Sequence, residues 1–436
     1  MHLQQRVFYF CYMLLLNLLR QDPESVIKAL LKRNLDARPI VNEILLINEE
    51  RRKIQNKTES LKAESNKTAK LIGLLVRDGK ASEVNEIKSK TALIKKELLS
   101  LEKTLLDLEI KEKETLLSLP NTPHRSVKQG FSPKENEIVS TWENDPQRTN
   151  DGLIPHWELA SKYNLIDFER GVKITGAGFP IYTGNGARLQ RALIQFFLDK
   201  NTREGYKEIQ PPYFVNEESS FGTGQLPDKE GQMYHIQNDN LYVIPTSEIP
   251  LTNLYRNEII DESKLPIKMT AYSPCFRREA GSYGKDVRGL NRLHQFDKVE
   301  IVCIDHPDNS YKRLDTMVNH VAGILKDLGL QYRLLRLCGG DMGFTSALTY
   351  DFEVWSAAQQ RWLEVSSVSN FETFQTNRLK LRYRQKDNKI SLAHTLNGSA
   401  LALPRIMAAI LENNQSPDGI NVPNVLHKYT GFKKIS

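Results

Sequence analysis

From Ile40 to Leu75, core positions recur at alternating spacings of four and three: Ile40, Ile44, Ile47, Arg51, Ile54, Thr58, Leu61, Ser65, Thr68, Ile72 and Leu75. Most are apolar, and the positions between them are dominated by Asn, Glu, Lys and Gln. After a polar break, RDGKAS (77–82), the rhythm resumes at Val84, Ile87, Thr91, Ile94, Leu98, Leu101, Leu105 and Leu108. A sustained 3.5-residue repeat with no internal proline is the pattern of a coiled coil. The break is short, so the two helices, spanning about residues 40–118, must fold back antiparallel. At ~1.5 Å per residue each reaches about 50 Å. Nothing in this hairpin offers a catalytic constellation, and by itself it reads as a dimerisation stalk or spacer.

Two prolines and Asn121 in LPNTPH (119–124) end the hairpin, and the polar segment Ser126 to Asp151 reads as a linker to a second domain. The texture then changes. An amphipathic helix is expected from Ala187 to Glu204, followed by a strand, YKEIQ, that runs into Pro211 and Pro212. Further strands are expected at 241–245, 267–276, 294–304, 350–356 and 361–367, with helices at 309–328 and 399–413. Mostly sequential strands with added helices indicate an antiparallel α+β domain. Neither G-x-x-x-x-G-K-[ST] nor a strand-linked G-x-G-x-x-G is present, so the usual phosphate loops are excluded.

A length of 436 residues suits two or three domains, and a net charge of +7 leans mildly toward a polyanionic partner. Cys11, Cys275, Cys303 and Cys338 are scattered without a C-x-x-C pair. No zinc site and no disulfide framework is expected, and reduced thiols suit a cytoplasmic protein. The apolar run VFYFCYMLLLNLL (7–19) is too short to span a bilayer and is closed by Arg20, Gln21 and Asp22. It reads as a core helix or a start-site artefact, and no other stretch approaches membrane-spanning length.

Four short stretches carry chemistry. CFRREAGSYGKDVRGLNRLHQFDKVE (275–300) gathers four arginines, two lysines and three glycines. Like charges this dense resist burial unless an anion sits among them, although a solvated basic hairpin is the simpler account of the stretch alone. PTSEIP (245–250), read as extended, puts a hydroxyl and a carboxylate on one face, where they could hold an ammonium group. LEVSS (363–367) repeats the pairing at a strand end, as a magnesium or polar-ligand site. HTLNGSALALPRIMAAILEN (394–413) leads a polar N-G-S turn into a helix with a lone Arg405 near its start. Singly, each is explained as well by a hydrogen-bonded turn, an edge strand or a helix with one charge.

In this order, however, they resemble the class II aminoacyl-tRNA synthetases. The helix at 187–204 with GYKEIQPP is similar to motif 1, CFRRE with HQFDKVE to motif 2, and NGSALALPR with its helix to motif 3. FGTGQLP (221–227), the TSE triplet, EVSSVSN and the N-terminal hairpin resemble the seryl-tRNA synthetases, bacterial type, from about Met13 to the C-terminus. The resemblance implies an extension at 1–12, a tRNA-binding domain at 13–125 and a class II catalytic domain at 126–436. It implies serine–tRNA ligase activity: L-serine is activated by ATP with Mg2+ and passed to tRNA(Ser), and to tRNA(Sec) where that exists. It also implies a homodimer, no membrane association, and a hairpin that meets the long variable arm of the tRNA.

Residue by residue, the resemblance assigns ATP binding to Arg277, Arg278, Glu279, Phe296, Glu364, Val365, Ser366, Ser367 and Arg405. Arg277 would touch the α-phosphate and the serine carboxylate, Glu279 the adenine amine, Phe296 the adenine face, and Arg405 the γ-phosphate. Glu364 and Ser367 would hold Mg2+, while Arg278, where the family often has a small residue, would face outward. Serine falls to Thr246, Ser247, Glu248, Arg277, Glu300, Asn397 and Ser399, with Arg277 and Arg405 as the catalytic pair. The loop from Gly281 to Gly289 would fold over the nucleotide or the tRNA end. Pro404, where the family commonly has Gly, and GGDMGFTSA (339–347) depart from the pattern. A paralogue that charges a carrier protein is disfavoured by the long hairpin. A non-catalytic coiled-coil RNA-binding protein would have no reason to keep Thr246, Glu248, Arg277, Glu279 and Arg405 together.

Overall fold

The computed structural model describes residues 16–143, 152–279 and 288–436. The extension expected at 1–12, and residues 281–287 of the loop expected over the nucleotide, lie outside them. The chain forms two compact units: residues up to Leu31 with Leu35–Pro120, and Lys32–Asn34 with Asn121–Ser436.

In the first unit, α1 (Pro23–Leu31) packs Val26, Ile27 and Leu30 into one cluster with Val41, Ile44 and Leu116. Helices α2 (Arg38–Arg77) and α3 (Ala81–Leu117) make the antiparallel hairpin. The reversal between them is taken at Gly79, whose φ of +74° lies where a side chain would be strained. The repeat read from the sequence is the buried seam: Ile44, Ile47, Leu75, Val84, Ile94 and Leu101 are all in the core. Arg51 occupies a seam position because Glu112 meets it from α3, with Nε 3.3 Å from Oε2. Asn48 Nδ2 donates to the other carboxylate oxygen at 2.7 Å. Along the flanks, Lys57–Glu97 (2.7 Å), Lys62–Glu102 (2.7 Å) and Lys111–Glu43 (3.0 Å) bridge the helices in the open. Such exposed pairs each contribute little. The buried triad fixes register, since a slip of one turn would bury Arg51 and Glu112 apart.

The second unit is built on an eight-stranded sheet: β1 (Glu137–Trp142), β2 (Lys207–Glu208), β3 (Ile267–Phe276), β4 (Gln295–Asp305), β5 (Tyr332–Arg336), β6 (Leu348–Ser356), β7 (Arg361–Glu372) and β8 (His394–Ala402). Their order is β1-β5-β6-β7-β8-β4-β3-β2, antiparallel except where β2 lies parallel to β3. The helices used below are α4 (His156–Lys162), α5 (Gly184–Arg203), α6 (Glu217–Thr223), α7 (Glu248–Asn253), α8 (Ser310–Asp327), α9 (Phe374–Leu379) and α10 (Leu403–Asn413). Strand period two divides each strand between two faces. On β4, Val299, Ile301 and Cys303 join Leu193 of α5, Ile324 of α8 and Met407 of α10 in the main core. Phe296, Lys298 and Glu300 take the other face, which is left for chemistry.

Four expectations are corrected. The supposed linker from Ser126 contains β1, an edge strand paired with β5. Its exposed Ile138 and Val139 and polar neighbours give no one-sided apolar alternation to read. Residues 399–402 are the end of β8, not helix: Ser399 and Ala402 pair with Glu300 and Lys298 of β4, and Ala400 and Leu401 are buried in the main core. The N-G-S triplet is therefore strand, and the helix starts at Leu403. Pro404 lies in its first turn, where a missing N–H costs nothing. PTSEIP is not extended: β-structure stops at Val243 and Glu248 opens α7. Finally, LEVSS lies within β7, not at its end.

Removing one member of the buried hairpin triad should be costly. Glu112→Ala leaves the Arg51 guanidinium buried without its carboxylate, and loss of about 3–5 kcal/mol is expected. Urea unfolding of the full chain followed by circular dichroism measures this, and an unchanged helical transition contradicts it.

Candidate active site

On its free face the sheet floors a cavity of about 910 Å³, lined by β4, β7 and β8 and by the segments that follow β3 and precede α7. Its inner end is built from the Phe296, Lys298 and Glu300 series on β4 and from Asn397 and Ser399 on β8. Ser399 pairs directly opposite Glu300 in the ladder. The Glu300 carboxylate, 1% exposed, receives Lys298 Nζ at 2.5 Å, Thr246 Oγ1 at 3.1 Å and Asn397 Nδ2 at 3.4 Å. Thr246 Oγ1 in turn accepts the Glu248 amide at 3.2 Å. Glu248 is also buried, and its Oε1 accepts from Gln375 Nε2 at 2.6 Å. Burial, then the Glu300 charge, pushes the Glu248 carboxyl up to about 7, against the pull of Gln375, Lys298 and Arg277. Two carboxylates facing one lysine make this end a receptor for a small cation.

The outer end carries the opposite sign. Arg277 follows β3 and stands with its guanidinium 5.3 Å from the centre of the Phe296 ring. Glu279 adopts φ +48°, a left-handed conformation that is uncommon away from glycine, and its Oε2 accepts from Arg292 Nε at 3.1 Å. Arg405, from the first turn of α10, donates through Nη1 to the Glu364 carbonyl (2.7 Å) and through Nε to the Asn291 carbonyl (3.1 Å). These two bonds aim a guanidinium along the cavity wall.

Glu364 and Ser367 are three apart, so a regular strand would turn them to opposite faces. Here β7 is bulged: Glu364 pairs with Glu353 and Ser366 with Phe352, leaving Val365 without a partner across the ladder. The extra residue brings Glu364 and Ser367 to the same side, while the Val365 side chain joins the main core. Ser366 lines the cavity and donates to the Ser399 carbonyl at 2.5 Å. Asp351 pairs with Ser367 across the ladder. Burial and the nearby Glu364 charge hold its carboxyl well above the usual range, and its Oδ1 is buried without a hydrogen-bond partner.

Of the residues proposed from the sequence, all but Ser247 and Arg278 line this cavity. Ser247 precedes α7 and turns its hydroxyl into the protein, with no hydrogen-bond partner. Arg278 is exposed and contributes its amide to the Gln232 carbonyl at 2.9 Å. Sequence reading missed Lys298, Asp351, Asn291, Arg292 and Gln375. Lys298 was within reach, two residues before Glu300 and hence on its face. Asp351 needs the β6–β7 register, and Gln375 acts from a short helix with no local signal.

A buried network anchors the arm that returns from 288 to 293. His156, at the start of α4, donates from Nδ1 to Glu412 Oε1 at 2.7 Å, and its Nε2 accepts the Leu290 amide at 2.8 Å. The Leu290 N–H fixes the tautomer, because it requires a lone pair on Nε2. Glu412 also accepts from the His156 amide (3.0 Å), Gln359 Nε2 (2.9 Å) and the Ser356 hydroxyl. Burial opposes its ionisation, but these bonds hold its carboxyl below the ordinary range. Gln359 Oε1 then accepts from Asn291 Nδ2 at 3.0 Å, which places the carbonyl used by Arg405. A Cβ on Gly289 (φ +66°) would lie 2.3 Å from His156 Nε2, so the arm closes on the ring only as glycine.

An antiparallel sheet with an arginine arm after β3 and a second arginine opening the last long helix is the design of the class II aminoacyl-tRNA synthetases. The model of the tRNA synthetase class II core domain (G, H, P, S and T) matches residues 233–414, and that of the seryl-tRNA synthetase N-terminal domain matches 13–123. A serine–tRNA ligase of Salinibacter ruber is 51% identical, over 97% of this chain and 99% of its own. Seryl-tRNA synthetase from Pyrococcus horikoshii, solved with ATP, superposes with a TM-score of 0.88 at 34% identity, covering 96% of this chain and 98% of that one. The cytoplasmic serine–tRNA ligase of Naegleria fowleri, solved with AMP, gives 0.83 at 25% identity over 95% and 96%. The chain belongs to the seryl-tRNA synthetase family.

The His156 network should be a stability determinant of the arm. His156→Phe keeps an aromatic ring but removes one bond to a buried carboxylate and one to a backbone amide. About 3 kcal/mol of unfolding free energy should be lost, read as a fall in the urea midpoint. A change below about 1 kcal/mol, the scale of a single ordinary hydrogen bond, would remove the network from this role.

Proposed function

We propose that this enzyme activates L-serine with ATP and transfers the seryl group to tRNA(Ser). What supports the reading is the polarity of one cavity: a buried Glu248–Glu300 end that complements an ammonium, and an Arg277–Arg405 end that complements phosphates. The serine ammonium is held by Glu248 and Thr246. Its hydroxyl meets Glu300, Asn397 and Ser399, groups that alanine would leave unpaired, which allows discrimination of about 10⁴-fold. Its carboxylate faces Arg277. The nucleotide lies along the outer half, with adenine against Phe296 and its amine at Glu279, and the γ-phosphate at Arg405.

A carboxylate oxygen of serine then attacks the α-phosphorus, the bond to the β-phosphate oxygen breaks, and pyrophosphate leaves. Two anions must approach, so the main contribution of the protein is preorganised positive charge and alignment. The donor set also fits a divalent cation: Glu364, Ser367 and the partnerless buried oxygen of Asp351 are hard oxygen ligands in an acidic niche. Mg2+ held there would neutralise phosphate charge. In the second step a hydroxyl of the terminal ribose of tRNA attacks the seryl carbonyl carbon, and AMP leaves with the electron pair. No covalent intermediate on the protein is required.

The hairpin contributes to tRNA, not to activation. Its exposed lysines and arginines can neutralise phosphates without reading bases, and its length suits a distant feature, the long variable arm. In the homodimer this reading requires, one protomer's hairpin guides the tRNA end to its partner's cavity. Among the described residues no helix is long and apolar enough to cross a membrane.

Two experiments test the reading. Arg277→Ala and Arg405→Ala should each lower serine-dependent exchange of pyrophosphate into ATP by at least about 10²–10³-fold with the fold intact. Near-normal exchange in either folded variant contradicts the clamp. Replacing residues 41–118 by a short linker should leave that exchange in place but collapse aminoacylation. The salt dependence of tRNA binding should also weaken, by about 0.9 in log–log slope for each phosphate the shortened chain no longer neutralises. Charging at close to the full rate by that chain would make the hairpin a stalk.

A further inference from the structure

Gln375 does not line the cavity, yet its amide is bonded on every side. It lies in α9, is 1% exposed, and donates from Nε2 to Glu248 Oε1 at 2.6 Å and to the Thr223 carbonyl at 3.3 Å. Its Oε1 accepts from Thr395 Oγ1 at 2.7 Å. The Thr223 carbonyl facing Nε2 is an obligate acceptor, the ionised Glu248 carboxylate is another, and the group facing Oε1 can donate, so the amide has one permitted orientation. The contacts tie three separate stretches together: FGTG at the end of α6, the first residue of α7 and the start of β8.

Resting on the serine site described above, we propose that Gln375 is a positioning residue for amino-acid recognition. By occupying Oε1 it holds the Glu248 carboxylate in one rotamer and leaves Oε2 to meet the substrate ammonium. Its donated bond also favours the ionised carboxylate. The charged groups facing Glu248 are Glu300, which opposes ionisation, and Lys298 and Arg277, which favour it. Burial dominates, so Glu248 exchanges its proton near neutrality, at about 7. An ammonium binds the ionised form, and serine binding should therefore weaken as pH falls through that value. Without the Gln375 bond, the same loss should begin at higher pH.

The test uses the full-length enzyme with serine and ATP varied separately in the pyrophosphate exchange assay. In Gln375→Met, similar in size but unable to donate, serine KM at neutral pH should rise about 10- to 100-fold, the range for a hydrogen bond to a charged group. ATP KM should stay near its wild-type value, and the pH limb of serine KM should move upward. Thr395→Val, which only frees the amide to turn, should shift both in the same direction by less, and serves if Gln375→Met does not fold. Unchanged serine KM in a folded Gln375→Met, or equal rises for serine and ATP without a moved pH limb, overturns the proposal. Glu248→Gln separates the two levels. If it too leaves serine KM unchanged, the serine site itself is misassigned, whereas a rise there with none in Gln375→Met removes Gln375 alone.

Discussion

The Glu300 carboxylate governs the inner half of the cavity. A charge this deeply buried is tolerable only with partners, and Lys298, Thr246 and Asn397 supply them from three different segments. Burial, and then this negative charge, push the Glu248 carboxyl up to about 7, against the pull of Gln375, Lys298 and Arg277. The β4 backbone fixes this arrangement by alternation alone, sending Val299 and Ile301 to the core and Lys298 and Glu300 to the cavity.

The outer half follows a different rule. Arg405 is aimed by carbonyls: the Glu364 and Asn291 main chains accept from it at 2.7 and 3.1 Å, while the Glu364 carboxylate stands off at 4.0 Å, so its charge stays largely available to an anion. The Asn291 carbonyl is placed by Gln359, and the same residue reaches the His156–Glu412 pair. Ordinary buried hydrogen bonding thus determines where the Arg405 guanidinium points.

The coiled coil was legible because its period extends over many turns and because Arg51 is the one charged residue among the seam positions read from the sequence. Strands β3 and β4 were legible because they are long and carry β-branched and aromatic residues. Edge strand β1 was not, since both of its faces meet solvent and nothing in the sequence favours one. The end of strand β8 was misread because buried Leu and Ala look like helix when the strand they pair with is unknown. At the site, a resemblance supplied the residue types, and one-strand alternation accounts for Lys298 and Glu300. What no local pattern could supply are contacts set by register or by distant loops: Asp351 across from Ser367, Gln375 behind Glu248, and Asn291 beneath Arg405. Ser247 shows the converse, a residue that shares a motif with its neighbours but not their direction.

The bulge at Val365 has a consequence for how this strand can vary. Two constraints of opposite parity meet in five residues: Leu363 and Val365 must reach the core, while Glu364 and Ser367 must reach the cavity. Only a count that is one residue too long for the ladder satisfies both. Length is therefore itself a determinant of this part of the site, separate from side-chain identity. A chain that kept Leu363, Glu364, Val365 and Ser367 but lost the position between the last two would keep those side chains and lose their arrangement, because either the oxygen donors or the core would face the wrong way.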